Sequence, residues 1–493
     1  MPVSHARVNA VTSTDDEVPG MLEVLAQVPD PRRKRGRRFV LVFVLGVAVA
    51  CVLAGAESFR EIGDQAADLP QELLARLGGP CHPLRRTIVA PSEKRIRTLI
   101  QLIDAARLDE LTGAWLRALA GAGRLDGLLT AIAIDGKWLR GIGDGQQVKL
   151  FAAMLQEEKV IIAQHAIPED TNETTQVREM LDPVDLTDAV VTGDAAHSHR
   201  ATAAYIAGPE ADGGRASDYF LYVKGNEPTL QRAVHDAIQA LGGCEPDHCE
   251  MDYGHGRIIK RSLWVTGAGD LDFPHVTQVA RIQRDGYDAA GARVSKEVVH
   301  AVTSLDAGRA GPADLARITR GQRGIESVHW LRDTAYREDS DTGYTGNGPQ
   351  VMATLRNISV SLLYIAGVTQ VGSPYLTGVP LARFPRRDSL EGADDYGALA
   401  TSRDRRRVRR RRQAHVLAPH WLVPIGPSGV PRAGASGPRA CSPPTAMSMA
   451  RRVAACTSPV PPPASMVTSA AVSTAPMSEP ITAAASGMSR MSG

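Results

Sequence analysis

Cysteine is scarce in this chain, and the few cysteines show no pattern of pairing. The six are Cys51, Cys81, Cys244, Cys249, Cys441 and Cys456. Their number and spacing argue against a disulfide framework and favour the reducing environment of the cytoplasm. Cys244 and Cys249 lie on either side of His248, but a zinc site would need a fourth ligand and a more suitable spacing. We therefore expect a polar loop at this position.

The chain also lacks a large net charge, although its two ends are not alike. The formal net charge is +2, while the residues from 401 onward contain 13 Arg and no Lys against Asp404 and Glu479, a net charge of +11. Residues 1–400 therefore carry −9. A negatively charged region repels phosphate, so residues 1–400 would have to contact nucleic acid through local basic patches.

Only one long hydrophobic run occurs, the 18 uncharged residues from Phe39 to Ala56. Its length just reaches that of a membrane-spanning helix, and it follows six basic residues in Pro31–Arg38. The run is rich in Gly and Ala, no second span follows, and it starts too far from residue 1 for an ordinary signal peptide. We therefore expect an internal helix and no membrane association. Two interpretations of the basic cluster remain open, a phosphate-contacting arm and a solvated loop.

The first informative stretch is Thr130-Ala-Ile-Ala-Ile-Asp135. Its apolar residues predict a buried strand that ends on Asp135, and Gly136 predicts a turn after it. Lys137 and Arg140 place positive charge beside the carboxylate. A carboxylate at the tip of a buried strand is held rigidly, as a metal ligand must be, although most acids at such positions only begin turns.

Two further acids extend this arrangement. Asp194 follows the apolar stretch Ala189–Gly193, and Glu326 lies in Pro312–Tyr336, a segment predicted to be helical. Carboxylate oxygens are the ligands that Mg²⁺ prefers. Two such ions ~4 Å apart can stabilise the attacking and leaving oxygens of a phosphoryl displacement. The three acids together therefore predict a magnesium-dependent phosphoryl-transfer site.

A set of short motifs resembles the DDE transposases of bacterial insertion sequences, specifically the ISAs-type group of H-repeat-associated proteins. The motifs are Ala133–Lys137, Thr171–Glu173, Val191–His197, Tyr222–Asn226, His255–Arg257, Ile325-Glu326 with His329-Trp330, and Met352–Asn357. They occur in the order found in that family and cover roughly residues 20 to 367. Any one of them is weak, whereas the ordered set is specific.

The resemblance implies a fold, a chemistry and partners. Asp135, Asp194 and Glu326 would form the DDE triad on an α/β fold with an RNase-H-like mixed-sheet core. The cofactors would be two Mg²⁺ ions, with Mn²⁺ as a substitute, and the activity would be cleavage and strand transfer of transposon-end DNA. The partners would be double-stranded DNA, both terminal inverted repeats and target, and a second copy of the chain in a dimer on DNA.

Composition and hydrophobic periodicity divide the chain into regions. Residues 1–20 are predicted to be disordered, and residues 21–125 to form an N-terminal helical domain, which the resemblance associates with DNA binding. Residues 126–367 form the predicted catalytic core, in which three strands, a helix and a strand carry Asp135 and Asp194 to neighbouring positions. A β-rich insertion over about 245–304 precedes Glu326, and residues 368–493 form a low-complexity tail.

Basic and amide side chains near the acids are the candidate DNA contacts. They are Lys137, Lys224, Asn226, Arg257, Arg320 and Arg323. Lys224 and Asn226 end a predicted strand, where a simple turn explains them equally well. The acidic pair Glu338-Asp339 is the main rival for the third metal ligand. Trp330 is expected to be a core residue rather than one that stacks on bases.

The chain departs from the family pattern near its third acid and in its tail. Gln322-Arg323 stands where the family usually has His-Trp, and Ser327 where it has Asn. The resemblance stops near Gly367, and the Pro-, Ser-, Ala- and Arg-rich sequence that follows has eight Arg within Arg403–Arg412. Such a tail is typical of GC-rich DNA translated after a frameshift. Related reading frames that carry the same tail would rule this out and favour a disordered nucleic-acid-binding tail.

Three other functions remain open from sequence. The altered end of the chain favours a catalytically inactive DNA-binding remnant of a transposase. The apolar run Phe39–Ala56 would suit a membrane-anchored protein. A plain nuclease with the same core would cleave DNA without joining ends.

Overall fold

The structure, a computed structural model, describes residues 18–34, 37–121, 129–139, 148–254, 257–340 and 344–368. Several sequence predictions fall outside these residues. They concern the first 17 residues, part of the basic cluster, Arg140, His255 and the tail from residue 369 onward, including Arg403–Arg412.

The described part of the chain begins with helices. These are α1 (Met21–Leu25), α2 (Leu41–Leu53), α3 (Phe59–Ala67), α4 (Gln71–Arg76), α5 (Glu93–Ile100) and α6 (Ala105–Gly121). Helix α2 is the long apolar run, and its side chains are nearly all buried among α1, α3 and α5. Among the residues described, no helix combines the length and the apolar character needed to cross a membrane. The run is an internal helix, as expected.

A mixed sheet of nine strands follows within the described residues. Its strands are β1 (Thr130–Leu139), β2 (Val148–Leu155), β3 (Val160–Ile167), β4 (Ala189–Gly193), β5 (Asp218–Val223), β6 (His248–Gly254), β7 (Arg257–Gly267), β8 (Gln278–Tyr287) and β9 (Arg293–Thr303). The order across the sheet is β3-β2-β1-β4-β5-β9-β8-β7-β6. Strands β1, β4 and β5 are parallel, and every other neighbouring pair is antiparallel.

Five more helices connect or cover the strands. They are α7 (Glu173–Leu181), α8 (Arg200–Ala207), α9 (Pro228–Gln239), α10 (Pro312–Ala335) and α11 (Gly348–Ile365). Helix α10 packs against β1, whereas α11 packs against β3, α2 and α6. A single hydrophobic cluster includes residues of the first helices, the sheet and α11, so the helical region and the sheet are fixed against each other.

The strand that carries Asp135 is longer than the sequence predicts. Gly136 pairs with Phe151 and Leu139 pairs with Val148 of β2, so β1 continues where a turn is predicted. Pairing with β4 ends at Ala133. Asp135 is therefore in mid-strand on the β2 side and just past the end of the parallel pairing on the β4 side. The turn predicted at Gly136 is wrong because strand pairing overrides the local preference of glycine.

Strands β6 to β9 lie in the region predicted to be β-rich, but they extend the main sheet. Strand β9 joins β5 through pairs from Phe220 with Thr303 to Val223 with His300. The polar loop predicted around His248 is wrong in part, because β6 begins at that residue. Strand β9 pairs with β5 only as far as Val223, the last residue of β5, whereas β8 and β9 remain paired beyond that point. This part of the sheet therefore extends past the carboxyl end of the parallel strands.

A buried carboxylate joins the helical region to the sheet. Asp109 of α6 is fully buried and accepts hydrogen bonds from Gln164 Nε2 at 3.1 Å, Gln350 Nε2 at 2.8 Å and the hydroxyl of Thr354. Burial raises its pKa to about 7, against the effect of these hydrogen bonds. Protonated Asp109 is therefore the form that the folded chain favours at mildly acidic pH.

This carboxylate predicts a pH-dependent stability. Because the pKa of Asp109 is higher in the folded chain than the ~3.9 of an unfolded aspartate, its contribution is fully present below about pH 4 and is lost as pH rises through 7, a change of about 4 kcal/mol. Asp109→Asn should remove this dependence. Melting temperatures at about pH 5 and pH 8 test it. Asp104→Asn, at the exposed residue that precedes α6, should retain it. An unchanged pH profile in Asp109→Asn would contradict the assignment.

Candidate active site

Two of the three acids lie side by side at one edge of the sheet. Ala133 of β1 is in register with Thr192 of β4, and the strands are parallel, so Asp135 and Asp194 are each two residues beyond this pair. The carboxyl ends of parallel strands are the usual location of binding sites in such sheets. Asp194 is half-exposed, and its Oδ1 accepts a hydrogen bond from the Ala196 amide at 2.9 Å, which begins a 3₁₀ helix.

The loop after Asp194 is held by the end of β5. Asn226 Nδ2 donates to the Ala195 carbonyl at 2.6 Å and to Ser198 Oγ at 3.2 Å. Asn226, a predicted DNA contact, therefore has a role in fixing the backbone next to Asp194. Lys224 is exposed at the same edge and forms no ion pair among the described residues.

Helix α10 brings the third acid toward this edge. Gln322 Nε2 donates to the Ile134 carbonyl at 3.2 Å, and His329 Nδ1 lies 3.2 Å from Asp135 Oδ2. Glu326 is four residues after Gln322 and three before His329, so the three share one helix face. This face meets β1, and the side chain of Glu326 is exposed between the two contacts.

A fourth acid, to which the sequence gave no role, lies at the same edge. Glu173 is the first residue of α7, after Asn172, whose side chain accepts from the Thr175 amide. Its carboxylate rests against Gly136 so closely that a Cβ at that position would overlap it. Burial, together with the nearby carboxylates of Asp135 and Asp194, raises the pKa of Glu173 to about 7, although a hydrogen bond from the Trp138 indole opposes this rise.

A buried histidine faces this group of acids. His197 is fully buried and stacks on Phe151 with ring centroids 5.1 Å apart. Its Nε2 lies 3.7 Å from Glu173 Oε2 and 3.9 Å from Asp194 Oδ1, which is too far for hydrogen bonds. Neither ring nitrogen has a hydrogen-bond partner in the described part of the chain. Burial lowers the pKa of His197, against the attraction of Asp194 and Asp135.

Three of the predicted DNA contacts are engaged in internal ion pairs. Lys137 is buried, with Nζ at 2.6 and 2.7 Å from the two carboxylate oxygens of Asp333. Arg320 pairs with Glu250 at 3.0 Å and Asp252 at 2.9 Å, both on β6. Arg323 pairs with Glu297 of β9 at 3.1 Å. Arg257, by contrast, is exposed at the first position of β7.

The rival third ligand is not available to a metal ion. Glu338 is buried and pairs with Arg332 at 2.8 Å and Arg356 at 3.0 Å. Burial alone would raise its pKa, but the two guanidinium groups lower it to about 2. Glu338 is therefore a structural counter-ion, and its assignment as a rival ligand is wrong. Trp330 is 62% exposed, so the expectation that it belongs to the core is also wrong.

The donor set suits a hard divalent cation, although its side chains are spread apart. Oxygen ligands from Asp135, Asp194 and Glu173 are those that Mg²⁺ and Mn²⁺ prefer. After burial, the charges of Asp135 and Asp194 are the next causes of the raised pKa of Glu173, so these carboxylates repel one another. Across the described residues, no three His, Cys, Asp or Glu side chains are grouped closely enough, as placed, to hold a metal ion. Binding would therefore require the carboxylates to move toward a common point.

Comparison with known proteins identifies the family. Residues 127–362 match the family model described as "Transposase DDE domain", and residues 22–116 match the model described as "DDE_Tnp_1-associated". The chain belongs to the DDE transposases. The resemblance to the H-repeat-associated group of insertion-sequence transposases is thereby confirmed.

Relatives of this DDE transposase cover most of its described length. The protein YncI of Escherichia coli O157:H7 is 24% identical over 363 residues, which are 70% of this chain and 87% of YncI. The H repeat-associated protein YhhI of Escherichia coli strain K12 is 23% identical over 70% of this chain and 91% of its own. A piggyBac transposase in a synaptic complex with hairpin DNA matches 73% of each chain at 10% identity, with a TM-score of 0.34. At that score the match carries no argument about fold.

Proposed function

We propose that this DDE transposase cleaves transposon-end DNA and transfers the cut strand to target DNA, with Asp135, Asp194 and Glu326 as its catalytic acids. One observation carries the proposal. The parallel register of β1 and β4 puts Asp135 and Asp194 at one edge, and the face of α10 that carries Glu326 meets the same edge. This arrangement supports a common role for three acids that are far apart in the sequence.

The topology supports an RNase-H-like catalytic core. Strands β3, β2 and β1 are antiparallel and consecutive, and β4 and β5 then add in parallel on the other side of β1. This is the strand order of RNase-H-like folds. Under this proposal, residues 126–367 are the catalytic core, and residues 21–125 form the domain associated with DNA binding.

The chemistry follows from the charges at the edge. Divalent cations, Mg²⁺ or Mn²⁺, supply positive charge that stabilises the phosphate in the transition state. Asp135, Asp194 and Glu326 would hold them, His329 would orient Asp135, and Asn226 would fix the loop of Asp194. Hydrolysis at the transposon end releases a 3′-OH, which then attacks a target phosphodiester. Both steps are in-line displacements at phosphorus, so one site serves both.

Two basic residues are the best-placed candidates for DNA contact. Lys224 is exposed at the carboxyl end of β5, beside the loop of Asp194. Arg257 is the first residue of β7, at the same end of the sheet. Lys137, Arg320 and Arg323 are already paired with carboxylates of the chain, which favours Lys224 and Arg257 over these three as DNA contacts. Pairing of two transposon ends by a dimer is expected from the family and belongs to the proposal.

The first test is Asp135→Asn in a cleavage assay. Loss of the carboxylate charge should lower Mg²⁺-dependent nicking of a terminal-repeat duplex by about a thousandfold or more, because the substitution removes a group of the catalytic centre. Binding of the same duplex should remain, since the substitution leaves Lys224 and Arg257, the proposed DNA contacts, in place. Strand nicking with Mg²⁺ and with EDTA, and binding by fluorescence anisotropy, measure the two effects.

The controls separate the competing functions. Asp272→Asn, at a fully exposed aspartate paired with Arg200, should nick DNA like the wild type. Retained nicking by Asp135→Asn would refute the assignment of the acid. A wild-type chain that binds the duplex without cutting it in Mg²⁺ or Mn²⁺ would identify an inactive remnant. Cutting without joining would identify a nuclease.

A further inference from the structure

Glu173 has no part in the function proposed above, yet the fold places it beside the catalytic acids. It is fixed by its position at the start of α7, whose first turn is capped by Asn172. Its carboxylate touches Gly136, the residue after Asp135, and its side chain is only 25% exposed. A helix-borne carboxylate held against a strand is positioned more rigidly than one on a loop.

Three carboxylates at one edge repel one another unless a positive group lies among them. Asp135 and Asp194 both act electrostatically on Glu173, and Lys149, whose Nζ lies 4.6 Å from the centroid of the Trp138 ring, acts against them. Lys137, on the same strand as Asp135, is paired with Asp333. A bound cation would stabilise such a group of carboxylates.

The buried imidazole of His197 is an independent sign that a polar ligand belongs here. Its Nε2 faces oxygens of Glu173 and Asp194 at 3.7 and 3.9 Å, and neither ring nitrogen is hydrogen-bonded in the described part of the chain. A buried polar group without a partner is destabilising, because it has lost its hydrogen bonds to water and gained none in return. Native proteins rarely retain such a group without a ligand, water or ion to satisfy it.

We propose that Glu173 is a further ligand of the divalent-cation centre, and that it binds the cation together with Asp135 and Asp194. The inference rests on the proposed function, because Asp135 and Asp194 define the centre. Glu173 extends the donor set from the side of α7, opposite to α10 and Glu326. The centre would thus contain four acids. Two come from β1 and the end of β4, one from α7 on one side of these strands, and one from α10 on the other.

The test is Mn²⁺ binding to the full chain, measured by electron paramagnetic resonance of the free ion. Loss of a residue that only hydrogen-bonds to a metal ligand weakens metal binding ~10–100-fold. Loss of a direct ligand should have at least this effect, so Glu173→Gln should raise the Mn²⁺ dissociation constant by at least about tenfold. The metal-free variant should melt at or above the wild-type temperature, because the substitution removes like-charge repulsion. A merely structural role predicts the reverse, a lower melting temperature with unchanged Mn²⁺ affinity.

Glu179→Gln is the matched control, since Glu179 is on the same helix, exposed, and 3.5 Å from His165. It should bind Mn²⁺ like the wild type. Wild-type affinity in Glu173→Gln overturns the inference, and so does weaker binding that comes with a lower melting temperature. Asp135→Asn and Asp194→Asn are measured in parallel. If they lose Mn²⁺ and Glu173→Gln does not, only this inference fails; if they bind Mn²⁺ and nick DNA normally, the proposed function fails.

Discussion

Glu326→Gln should lower Mg²⁺-dependent strand cleavage by about a hundredfold or more without changing the melting temperature. The side chain of Glu326 is exposed, so the fold does not depend on its charge. Its neighbours Gln322 and His329 fix the helix against β1, and the variant leaves both contacts in place. Loss of activity without loss of stability is therefore the specific signature of a catalytic acid at this position. Strand nicking and thermal melting of the same preparation measure the two effects.

The control for this prediction is an exposed acid at the opposite edge of the sheet. Glu157 lies in the turn between β2 and β3 and pairs with Arg317 at 2.8 Å. Glu157→Gln should nick DNA at the wild-type rate. If Glu326→Gln also does so, the third acid lies elsewhere, and Glu173 becomes the first candidate to replace it.

The placement of the first two acids was predictable because it depends on local signals. Apolar stretches before Asp135 and Asp194 predict buried strands, and the intervening helix makes the two strands parallel. Parallel strands end at the same edge, so the two carboxylates meet there. The extent of β1 was not predictable, because it depends on pairing with β2 rather than on Gly136 itself.

The roles of the charged residues were harder to predict, since the partners lie far away in sequence. Lys137 looks like a phosphate contact beside Asp135, but its partner Asp333 is 196 residues further on. Arg320 and Arg323 share a helix with Glu326, yet they pair with acids of β6 and β9. Sequence gives the charge of such residues, and only the fold determines which opposite charge they meet.

Glu173 shows a different limit of sequence analysis. The motif Thr171–Glu173 was visible as part of the family resemblance, but nothing local relates it to the acids on β1 and β4. Its place depends on α7 packing against β2 and β3. A glycine at 136 is the one local trace of this contact, because any side chain there would overlap the Glu173 carboxylate.

Glu338→Gln should destabilise the folded chain by about 3–5 kcal/mol, the usual cost of removing one partner from a buried ion pair. Glu338 balances Arg332 and Arg356, both almost fully buried, and lies 3.8 Å from Lys137 Nζ. Gln keeps the size of the side chain and removes its charge, so the two guanidinium groups lose their counter-ion. Urea unfolding should show a lower midpoint with an unchanged slope. Glu157→Gln, which breaks an exposed pair, should cost less than about 1 kcal/mol.

The pH dependence of this loss identifies its source. The pKa of Glu338 is about 2 in the folded chain, below the ~4.3 of an unfolded glutamate, so its ionisation stabilises the fold fully above about pH 4.3. That contribution is lost as pH falls through 2. The difference in unfolding free energy between wild type and Glu338→Gln should therefore be constant above about pH 5 and shrink toward pH 2. A difference that persists unchanged in acid would mean that packing, rather than the charge balance with Arg332 and Arg356, accounts for the loss.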